Sequence, residues 1–389
     1  MTDDPIVIVG MARTPMGGFQ GDFASLTAPD LGAAAIKAAV ERSGVAADEI
    51  DEVIMGNVLS AGLGQAPARQ ASMGAGLPQA AGCTTINKMC GSGLKAVMLA
   101  HDLLLAGANK IMVAGGMESM TNAPYLLPKA RGGYRMGHGQ IMDHMFLDGL
   151  EDAYDKGKLM GVFAELCADK YRFTREAQDE FAVESLKRAQ KADFSAEIAP
   201  VTVKVGKEEK RIFIDEQPGK AKFEKIPTLK PAFRSDGTVT AANASSISDG
   251  AAALVLMKRS QAQERGAKIL ATIRGHSTCA QEPSWFTTAP VGALKTLAAK
   301  TGWNLNQVDL FEINEAFAVV TMAAMTELSL PHAKVNVHGG ACALGHPIGA
   351  SGARVLVTLI AALEKYNLKR GMATLCIGGG EAVAVAVER

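Results

Sequence analysis

A cysteine at the start of a predicted helix is the first feature of the sequence that indicates chemistry. Cys90 comes directly before Gly91, Ser92 and Gly93, whose small side chains let the backbone turn tightly into a helix. Peptide N–H groups at a helix start favour the thiolate, which is the nucleophilic form of cysteine. We therefore predict a nucleophile at Cys90, and the competing interpretation is a cysteine packed in the core.

A histidine and a second cysteine lie in glycine-rich segments that could supply a base and an oxyanion site. His346 lies in the loop GHPIGASG over 345–352, and its neutral imidazole could take a proton from a thiol. The alternative is a histidine on a surface loop. Cys376 ends a predicted strand before three glycines, whose N–H groups could stabilise an oxyanion while the thiol moves a proton. A buried cysteine without a partner is the alternative there.

Two further polar residues follow another predicted strand. Asn314 could position a water or a carbonyl, and Glu315 could orient a histidine. Both residues could instead cap the next helix.

Metal and nucleotide chemistry are disfavoured by the local sequence. His338, Cys342 and His346 are spaced four residues apart and would share one helix face as zinc ligands, but glycines and a proline interrupt that helix. We therefore predict no metal site. The turn after the first strand begins Gly-Met-Ala-Arg at Gly10, which does not match the dinucleotide-binding motif GxGxxG. The phosphate-binding motif GxxxxGK[ST] is absent from the sequence, so a dehydrogenase or a kinase is disfavoured.

The elements that must position these residues have the pattern of an α/β protein. Alternation of strands and helices implies parallel pairing of the strands. Helices are predicted over 30–43, 94–105 and 174–192 from helical apolar spacing. Apolar and β-branched runs predict strands over 6–9, 53–59, 110–114, 250–257, 308–313, 335–337 and 374–377.

An internal sequence repeat indicates two similar halves. The sequence GSGLK over 91–95 heads a helix that leads to IMVAGG over 111–116, and ASGAR over 350–354 heads one that leads to LCIGGG over 375–380. Such a duplication would bring the two helix starts and the two glycine turns together.

The composition changes between about 119 and 248, which predicts an insertion between parts of the first half. We assign 1–119 to the N-terminal half, which is completed by about 248–267. We assign 120–247 to the inserted domain and 268–389 to the C-terminal half. The segment 204–230 is locally basic, which is typical of a solvated face but could also meet a phosphate-bearing ligand.

Charge and cysteine usage exclude several classes of partner. The chain has 40 Lys plus Arg and 40 Asp plus Glu, so no global field attracts nucleic acid or an anionic membrane. The six cysteines form no CxxC pair and the N-terminus has no apolar signal core. No run of about eighteen apolar residues indicates a membrane span. We expect a soluble cytoplasmic protein.

Together the motifs resemble the thiolase family, with the closest resemblance to biosynthetic acetoacetyl-CoA thiolases. The resemblance spans nearly the whole chain. It implies a five-layered αβαβα fold of two similar halves, an inserted loop domain that binds CoA, and a homotetramer built as a dimer of dimers. The motifs are NKMCGSG (87–93), GGMESM (115–120), NEAF (314–317), GHPIGASG (345–352) and CIGGG (376–380).

The resemblance also implies a ping-pong Claisen condensation. Cys90, activated by His346, would be acetylated by acetyl-CoA, and Cys376 would remove the α-proton of a second acetyl-CoA. The products would be acetoacetyl-CoA and CoA, and the reverse reaction would be thiolysis. His346 and a water held by Asn314 would serve the enolate oxygen, and the N–H groups of Cys90 and Gly378 the tetrahedral intermediate. CoA thioesters are the substrates and no further cofactor is expected.

The implied CoA contacts are less regular than the catalytic motifs. The family's frequent His-Met pair is Leu159-Met160 here, and the Arg that some members offer to CoA is absent around 218–220, so we expect nearby lysines to substitute. Phe286 near the pocket predicts a short acyl group. By resemblance, the contacts to CoA or pantetheine are Leu150, Met160, Phe233, Ala241, Ala244, Ser245, Ala316 and Phe317.

Three alternatives stay open at this point. A degradative 3-ketoacyl-CoA thiolase would share every catalytic residue and differ in pocket depth. A non-catalytic acyl-CoA or lipid binder is less favoured because Cys90, His346 and Cys376 are all present. A ketoacyl synthase is also less favoured, since those enzymes commonly pair the cysteine with two histidines.

Overall fold

The computed structural model describes residues 4–389. Its helices are α1 (Ala28–Ser43), α2 (Pro67–Gly74), α3 (Ser92–Ala106), α4 (Met160–Tyr171), α5 (Arg175–Lys191), α6 (Glu216–Lys220), α7 (Arg259–Glu264), α8 (Ala289–Thr301), α9 (Ala318–Leu328), α10 (Ala341–Leu344) and α11 (Ile348–Lys365). Its strands are β1 (Ile6–Arg13), β2 (Gly17–Gly18), β3 (Glu52–Gly56), β4 (Gly82–Ile86), β5 (Ile111–Ser119), β6 (Tyr125–Leu126), β7 (Met142–Asp143), β8 (Val201–Val205), β9 (Glu208–Ile212), β10 (Ser248–Lys258), β11 (Ala271–Ala280), β12 (Leu310–Ile313), β13 (Arg370–Ile377) and β14 (Glu381–Glu388).

The first helix shows how local sequence sets the element bounds. The Thr27 hydroxyl accepts a hydrogen bond from Asp30 N at 3.3 Å, and the Asp30 carboxylate accepts one from Thr27 N at 2.9 Å, which satisfies two of the free N–H groups at the helix start. Gly44 ends α1 with a left-handed φ of 71°. The helix predicted over 30–43 is therefore confirmed, with its start two residues earlier.

Ten strands form one hydrogen-bonded array with an internal repeat. The order is β12-β13-β14-β11-β1-β10-β5-β3-β4, and β2 pairs with β10. Within the sheet, as described for residues 4–389, the two halves are joined where β1 and β11 pair, at Val7 with Thr272 and Ile8 with Ala271. On both sides of this seam, the next two pairings outward are antiparallel and the following pairing is parallel.

The strand pattern confirms two similar halves and corrects the predicted pairing. The strands of the first half, β1, β10, β5, β3 and β4, match β11, β14, β13, β12 and a single parallel bridge between Phe311 and Val335 in the second. The prediction of a strand over 335–337 is therefore wrong, except that Val335 makes this single bridge. Purely parallel pairing is also wrong, because β10 and β14 run antiparallel to both of their neighbours.

Helices α3 and α11 form the central layer between the two halves of the sheet. Leu94 and Val97 of α3 share a fully buried cluster with Leu356 and Leu359 of α11 and with strands of both halves. Helix α1 covers the outer face of the first half, and α8 covers that of the second. The result is the five-layered αβαβα arrangement expected from the resemblance.

The segment between β5 and β10 lies outside these layers. It contains α4, α5, α6 and the β6–β7 and β8–β9 pairs. The Thr174 hydroxyl accepts a hydrogen bond from Ala177 N at 3.2 Å, so α5 begins where the sequence predicts. The domain boundaries at 119 and 248 stay a prediction.

One stretch, Met89–Ala106, is long and apolar enough to cross a membrane by length and composition, with a mean hydropathy of 1.3. Inspection of the sequence missed it because Lys95, His101 and Asp102 interrupt the apolar run. Half of the stretch is buried, and α3 within it is the central-layer helix. Because core helices of this kind pass the same test, the stretch is weak evidence for a membrane span.

Candidate active site

Cys90 lies in a tight turn between β4 and α3. Met89 adopts a left-handed backbone with φ of 46°, which is uncommon for a residue with a side chain. The turn is held by Asn87 Oδ1, which accepts from Met89 N at 2.9 Å, and by Ser92 Oγ, which accepts from Lys88 N at 2.8 Å. Such strand-to-helix turns present a nucleophile at the start of the helix.

The starts of α3 and α11 touch through glycines. A Cβ added at Gly93 would lie 2.7 Å from Ala353 N, and one added at Gly352 would lie 2.4 Å from Leu94 N. Both distances are below 3.0 Å, which real Cβ atoms essentially never show. The duplicated helix starts therefore come together, as the internal sequence repeat predicts.

The Cys90 thiol lies where two backbone N–H groups reach it. Burial raises the pKa of this thiol to about 11, while the N–H groups of Gly378 and of Cys90 itself act in the opposite direction. The negative charge of Glu118 adds to the raised pKa. The N–H groups favour the thiolate, as the helix start predicts, but desolvation outweighs them. The thiol needs a base.

His346 is buried and neutral, with one ring nitrogen engaged. Only 6% of its surface is exposed, so the surface-loop alternative is wrong. Burial, helped by the nearby charge of Arg354, lowers the pKa of His346 to about 3. Nδ1 lies 2.6 Å from Ser351 Oγ, whereas Nε2 is buried without a hydrogen-bond partner within residues 4–389. A buried nitrogen of this kind is suited to exchange a proton with a bound group.

Cys376 lies at the end of β13, next to Cys90. It is 1% exposed, and burial raises the pKa of its thiol well above the ordinary range, with a further contribution from Cys90. The turn to β14 follows, with left-handed φ values of 94° at Gly379 and 87° at Gly380. This turn directs Gly378 N–H toward the Cys90 thiol. The pairing of two thiols with an oxyanion donor suits acyl transfer coupled to proton transfer.

Asn314 is positioned by a buried arginine. Its Oδ1 accepts a hydrogen bond from Arg354 Nη2 at 3.3 Å, and its Nδ2 lies 3.4 Å from His346 Nδ1. Arg354 also lies 3.5 Å from Glu312, whose pKa burial raises to about 8. The alternative in which Asn314 caps a helix is wrong, because α9 begins only at Ala318 without a side-chain cap.

Glu315 does not orient a histidine. Its carboxylate accepts hydrogen bonds from Ser185 Oγ at 2.7 Å, Asn336 Nδ2 at 2.8 Å and Cys342 N at 3.1 Å. It therefore joins α5 to the segment before His346. Sequence reasoning missed these partners because they lie far apart along the chain.

The alternative zinc ligands do not converge. His338 Nε2 lies 3.2 Å from Tyr366 Oη, and Cys342 Sγ lies 3.7 Å from Glu315 O. His346 faces Ser351 instead. The helix that would align them is only the short α10.

An apolar wall lies against the Cys376 side of the site. Phe286 and Phe317 pack with their ring centroids 6.5 Å apart, and Phe233 lies 6.1 Å from Phe317. Six of the predicted substrate contacts share one buried cluster with Cys376, namely Met160, Phe233, Ala244, Phe286, Ala316 and Phe317.

The other three predicted contacts lie outside this cluster. Leu150 is in a separate cluster with Cys90. Ser245 donates hydrogen bonds from N and Oγ to Ala316 O, both at 3.0 Å. Ala241 is exposed and lines a cleft beside Lys222 and Lys225.

Comparison with known families accounts for this arrangement. Residues 6–260 match the family model described as Thiolase, N-terminal domain, and residues 267–389 match Thiolase, C-terminal domain. The chain belongs to the thiolase family. Both halves of the repeat fall within these two matches.

Similar thiolases cover the chain from end to end. Acetyl-CoA acetyltransferase 2 of Arabidopsis thaliana is 52% identical over 98% of this chain and 96% of its own length. Acetyl-CoA acetyltransferase of Cupriavidus necator is 49% identical over 100% of both chains. A solved thiolase from Ascaris suum in complex with coenzyme A has a TM-score of 0.93 at 42% identity, covering 99% of this chain and 100% of its own. The Bacillus anthracis acetyl-CoA acetyltransferase has a TM-score of 0.96 at 40% identity, with 99% and 98% covered.

One buried acid of this thiolase escaped the sequence reasoning. Glu118 accepts hydrogen bonds from the N–H groups of Val58 at 3.0 Å, Leu59 at 3.1 Å and Gly349 at 2.9 Å. Burial raises the pKa of Glu118 to about 7. It ties the loop after β3 to the start of α11. The signal that could have found it is a single acid inside the otherwise apolar β5.

Proposed function

We propose that this thiolase condenses two molecules of acetyl-CoA to acetoacetyl-CoA and CoA, and that it catalyses the reverse thiolysis. The observation that carries the proposal is the Cys90 thiol within reach of Gly378 N–H and beside a second buried thiol, Cys376. Full-length relatives named acetyl-CoA acetyltransferase, at 48–52% identity, support it.

In the first half-reaction, His346 Nε2 takes the proton of the Cys90 thiol. This base is needed because a thiol with a pKa of about 11 is almost entirely protonated at neutral pH. The sulfur attacks the thioester carbonyl, and the N–H groups of Cys90 and Gly378 stabilise the oxyanion. The carbon–sulfur bond to CoA then breaks, and the departing thiolate takes the proton of Cys376.

In the second half-reaction, the Cys376 thiolate takes the α-proton of a second acetyl-CoA. His346, now protonated, and a water on Asn314 stabilise the enolate oxygen. The α-carbon attacks the acetyl group on Cys90, and the Cys90 sulfur leaves and recovers its proton from His346. Both thiols and the imidazole return to their starting forms.

We assign substrate binding to the apolar wall and to the cleft that Ala241 lines. We assign the pantetheine arm to the wall formed by Met160, Phe233 and Phe317. The exposed residues Lys222 and Lys225 line the cleft beside Ala241, and we assign to them the contact with the CoA phosphates. These lysines would replace the arginine that is absent around 218–220.

A short acyl group fits the site better than a long one. Phe286 is 3% exposed and packs against Phe317 within the cluster of Cys376, so it limits the depth available to an acyl chain. The degradative 3-ketoacyl-CoA thiolase is the second candidate, and efficient thiolysis of a ketoacyl-CoA of about ten carbons would favour it.

Peptide mass spectrometry after incubation with acetyl-CoA tests the acyl-enzyme. We expect one acetyl group, on the peptide that contains Cys90, and its loss in Cys90→Ser. Cys83→Ser is the matched control, since Cys83 lies on β4 outside the site and the variant should still be acetylated at Cys90. Absence of acetylation in the wild type would contradict the mechanism.

We also propose that the protein acts in the cytoplasm as a homotetramer. Tyr125, Leu127, Met136 and Ile141 expose apolar side chains from one segment, which supports burial against other copies. Light scattering after size exclusion would contradict this if the mass were that of a single chain.

A further inference from the structure

Two histidines and an aspartate meet where a helix of the first half faces a strand of the second half, away from the thiols. His101 and Asp102 are on α3 of the first half, and His276 is on β11 of the second. One oxygen, Asp102 Oδ1, lies 2.9 Å from His101 Nδ1 and 2.8 Å from His276 Nε2. The proposed acyl transfer uses none of these residues.

The three side chains form a ligand set of the kind that transition metals prefer. One ligand atom from each residue lies within 4.8 Å of the other two, and this is the one such group among residues 4–389. Two imidazoles and one carboxylate are typical ligands of Zn²⁺, which binds them at about 2.0–2.2 Å in a tetrahedron completed by water. We propose that His101, Asp102 and His276 bind one Zn²⁺-like ion between α3 and β11.

The three side chains already have the approximate geometry of a metal site. Ligand atoms of a tetrahedral zinc site lie about 3.3 Å apart, so Asp102 Oδ1 must move a few tenths of an ångström away from the two nitrogens, which lie within 4.8 Å of each other. The Asp102 side chain is 53% exposed and free to shift, whereas the side chains of His101 and His276 are 12% and 19% exposed and are held in place. The two rings already stand at 88° to each other, with centroids 5.2 Å apart.

The same three side chains can also be held together by hydrogen bonds alone. Without an ion, the two rings donate hydrogen bonds to the same carboxylate oxygen, and that arrangement is the alternative to be tested.

Calorimetric titration of the full-length protein with ZnSO₄ tests the site. We expect one ion per chain in the wild type, and binding at least tenfold weaker in His276→Ala and in Asp102→Ala. His138→Ala is the matched control, since His138 is exposed in the segment between β6 and β7 and its loss should leave binding unchanged. Acetylation of Cys90 should be retained in all three variants.

Cobalt spectroscopy separates this site from the six thiols of the chain. We expect Co²⁺ to give visible d–d bands without a thiolate-to-cobalt charge-transfer band, and the d–d bands to disappear in His276→Ala. Zn²⁺ binding that persists in both His276→Ala and Asp102→Ala would overturn the proposal, as would a charge-transfer band in the wild type or the absence of binding. Far-UV circular dichroism of each variant confirms that the compared proteins are folded.

Discussion

Ser351 Oγ lies 2.6 Å from His346 Nδ1 and 2.9 Å from Pro347 O. Because a hydroxyl has one proton and the carbonyl can only accept, Ser351 donates to Pro347 and accepts from the ring. This 2.6 Å contact outweighs the longer 3.4 Å approach of the Asn314 amide to the same nitrogen, so the proton of the neutral imidazole is on Nδ1 and Nε2 keeps the lone pair. The serine thus places the basic nitrogen of His346 on the side without a protein partner.

Removal of this serine hydroxyl should slow acyl transfer without unfolding the protein. In Ser351→Ala the imidazole loses the partner that sets its tautomer, and loss of the corresponding partner of a metal-bound histidine costs about 10- to 100-fold in affinity or activity. We expect the single-turnover rate of Cys90 acetylation to fall within that range. Ser351→Thr keeps the hydroxyl and should recover most of the rate, and equal loss in both variants would contradict the role of the hydroxyl.

The pH dependence of acetylation should change when the base is removed. In the wild type, His346 has a pKa of about 3 and is available as a base across neutral and alkaline pH. In His346→Gln only the spontaneous thiolate remains, and with a pKa of about 11 its fraction rises about tenfold per pH unit below that value. Quenched-flow acetylation rates between about pH 7 and 9 should therefore rise steeply in the variant and weakly in the wild type. Parallel profiles would argue against His346 as the base.

Replacement of the second thiol should separate the two half-reactions. Cys376→Ser should still form the acetyl-enzyme on Cys90, because CoA can leave as a thiolate without the proton of Cys376, whose main role is to deprotonate carbon. Condensation should fall by about 100-fold or more, since a serine hydroxyl is a poor base toward carbon. Mass spectrometry measures the first step, and acetoacetyl-CoA absorbance measures the second. Equal losses in both steps would show that the two roles cannot be divided in this way.

A smaller side chain at position 286 should widen the range of acyl groups. Phe286→Ala removes a buried ring that packs on Phe317 beside Cys376. We expect thiolysis of medium-chain 3-ketoacyl-CoA to rise relative to acetoacetyl-CoA by about tenfold, because one or more methylenes then fit. The specificity ratio kcat/KM for the two substrates is the measurement. An unchanged ratio would show that the chain length is limited elsewhere.

Local sequence was sufficient to identify the reactive side chains, but it did not predict all of the elements that surround them. Cys90, His346 and Cys376 each stand beside glycines that mark a turn, and a turn is a local property. Strand β11 was not predicted, because polar residues such as His276 and Thr278 break its apolar alternation. It is stabilised by antiparallel pairing with β14, which lies far away along the chain.

The pKa values of the catalytic side chains also could not be predicted from local sequence. The raised pKa of Cys90 and the lowered pKa of His346 both result mainly from burial, which depends on the packing of two halves. The same holds for the partners of Asn314 and Glu315, since Arg354 and Ser185 come from other elements. Arg354 appeared in the sequence only as part of the internal sequence repeat.

The contact of Gly93 with Gly352 limits how the two halves could diverge after a duplication. An enlarged residue at either position would meet backbone of the opposite helix, at Ala353 N or Leu94 N. A smaller side chain on the partner cannot relieve a clash with backbone, so no compensating replacement exists across this contact. The two halves can diverge in their surface residues, loops and active-site chemistry. At this contact, however, each half must keep glycine because the backbone of the other half leaves no room for a side chain.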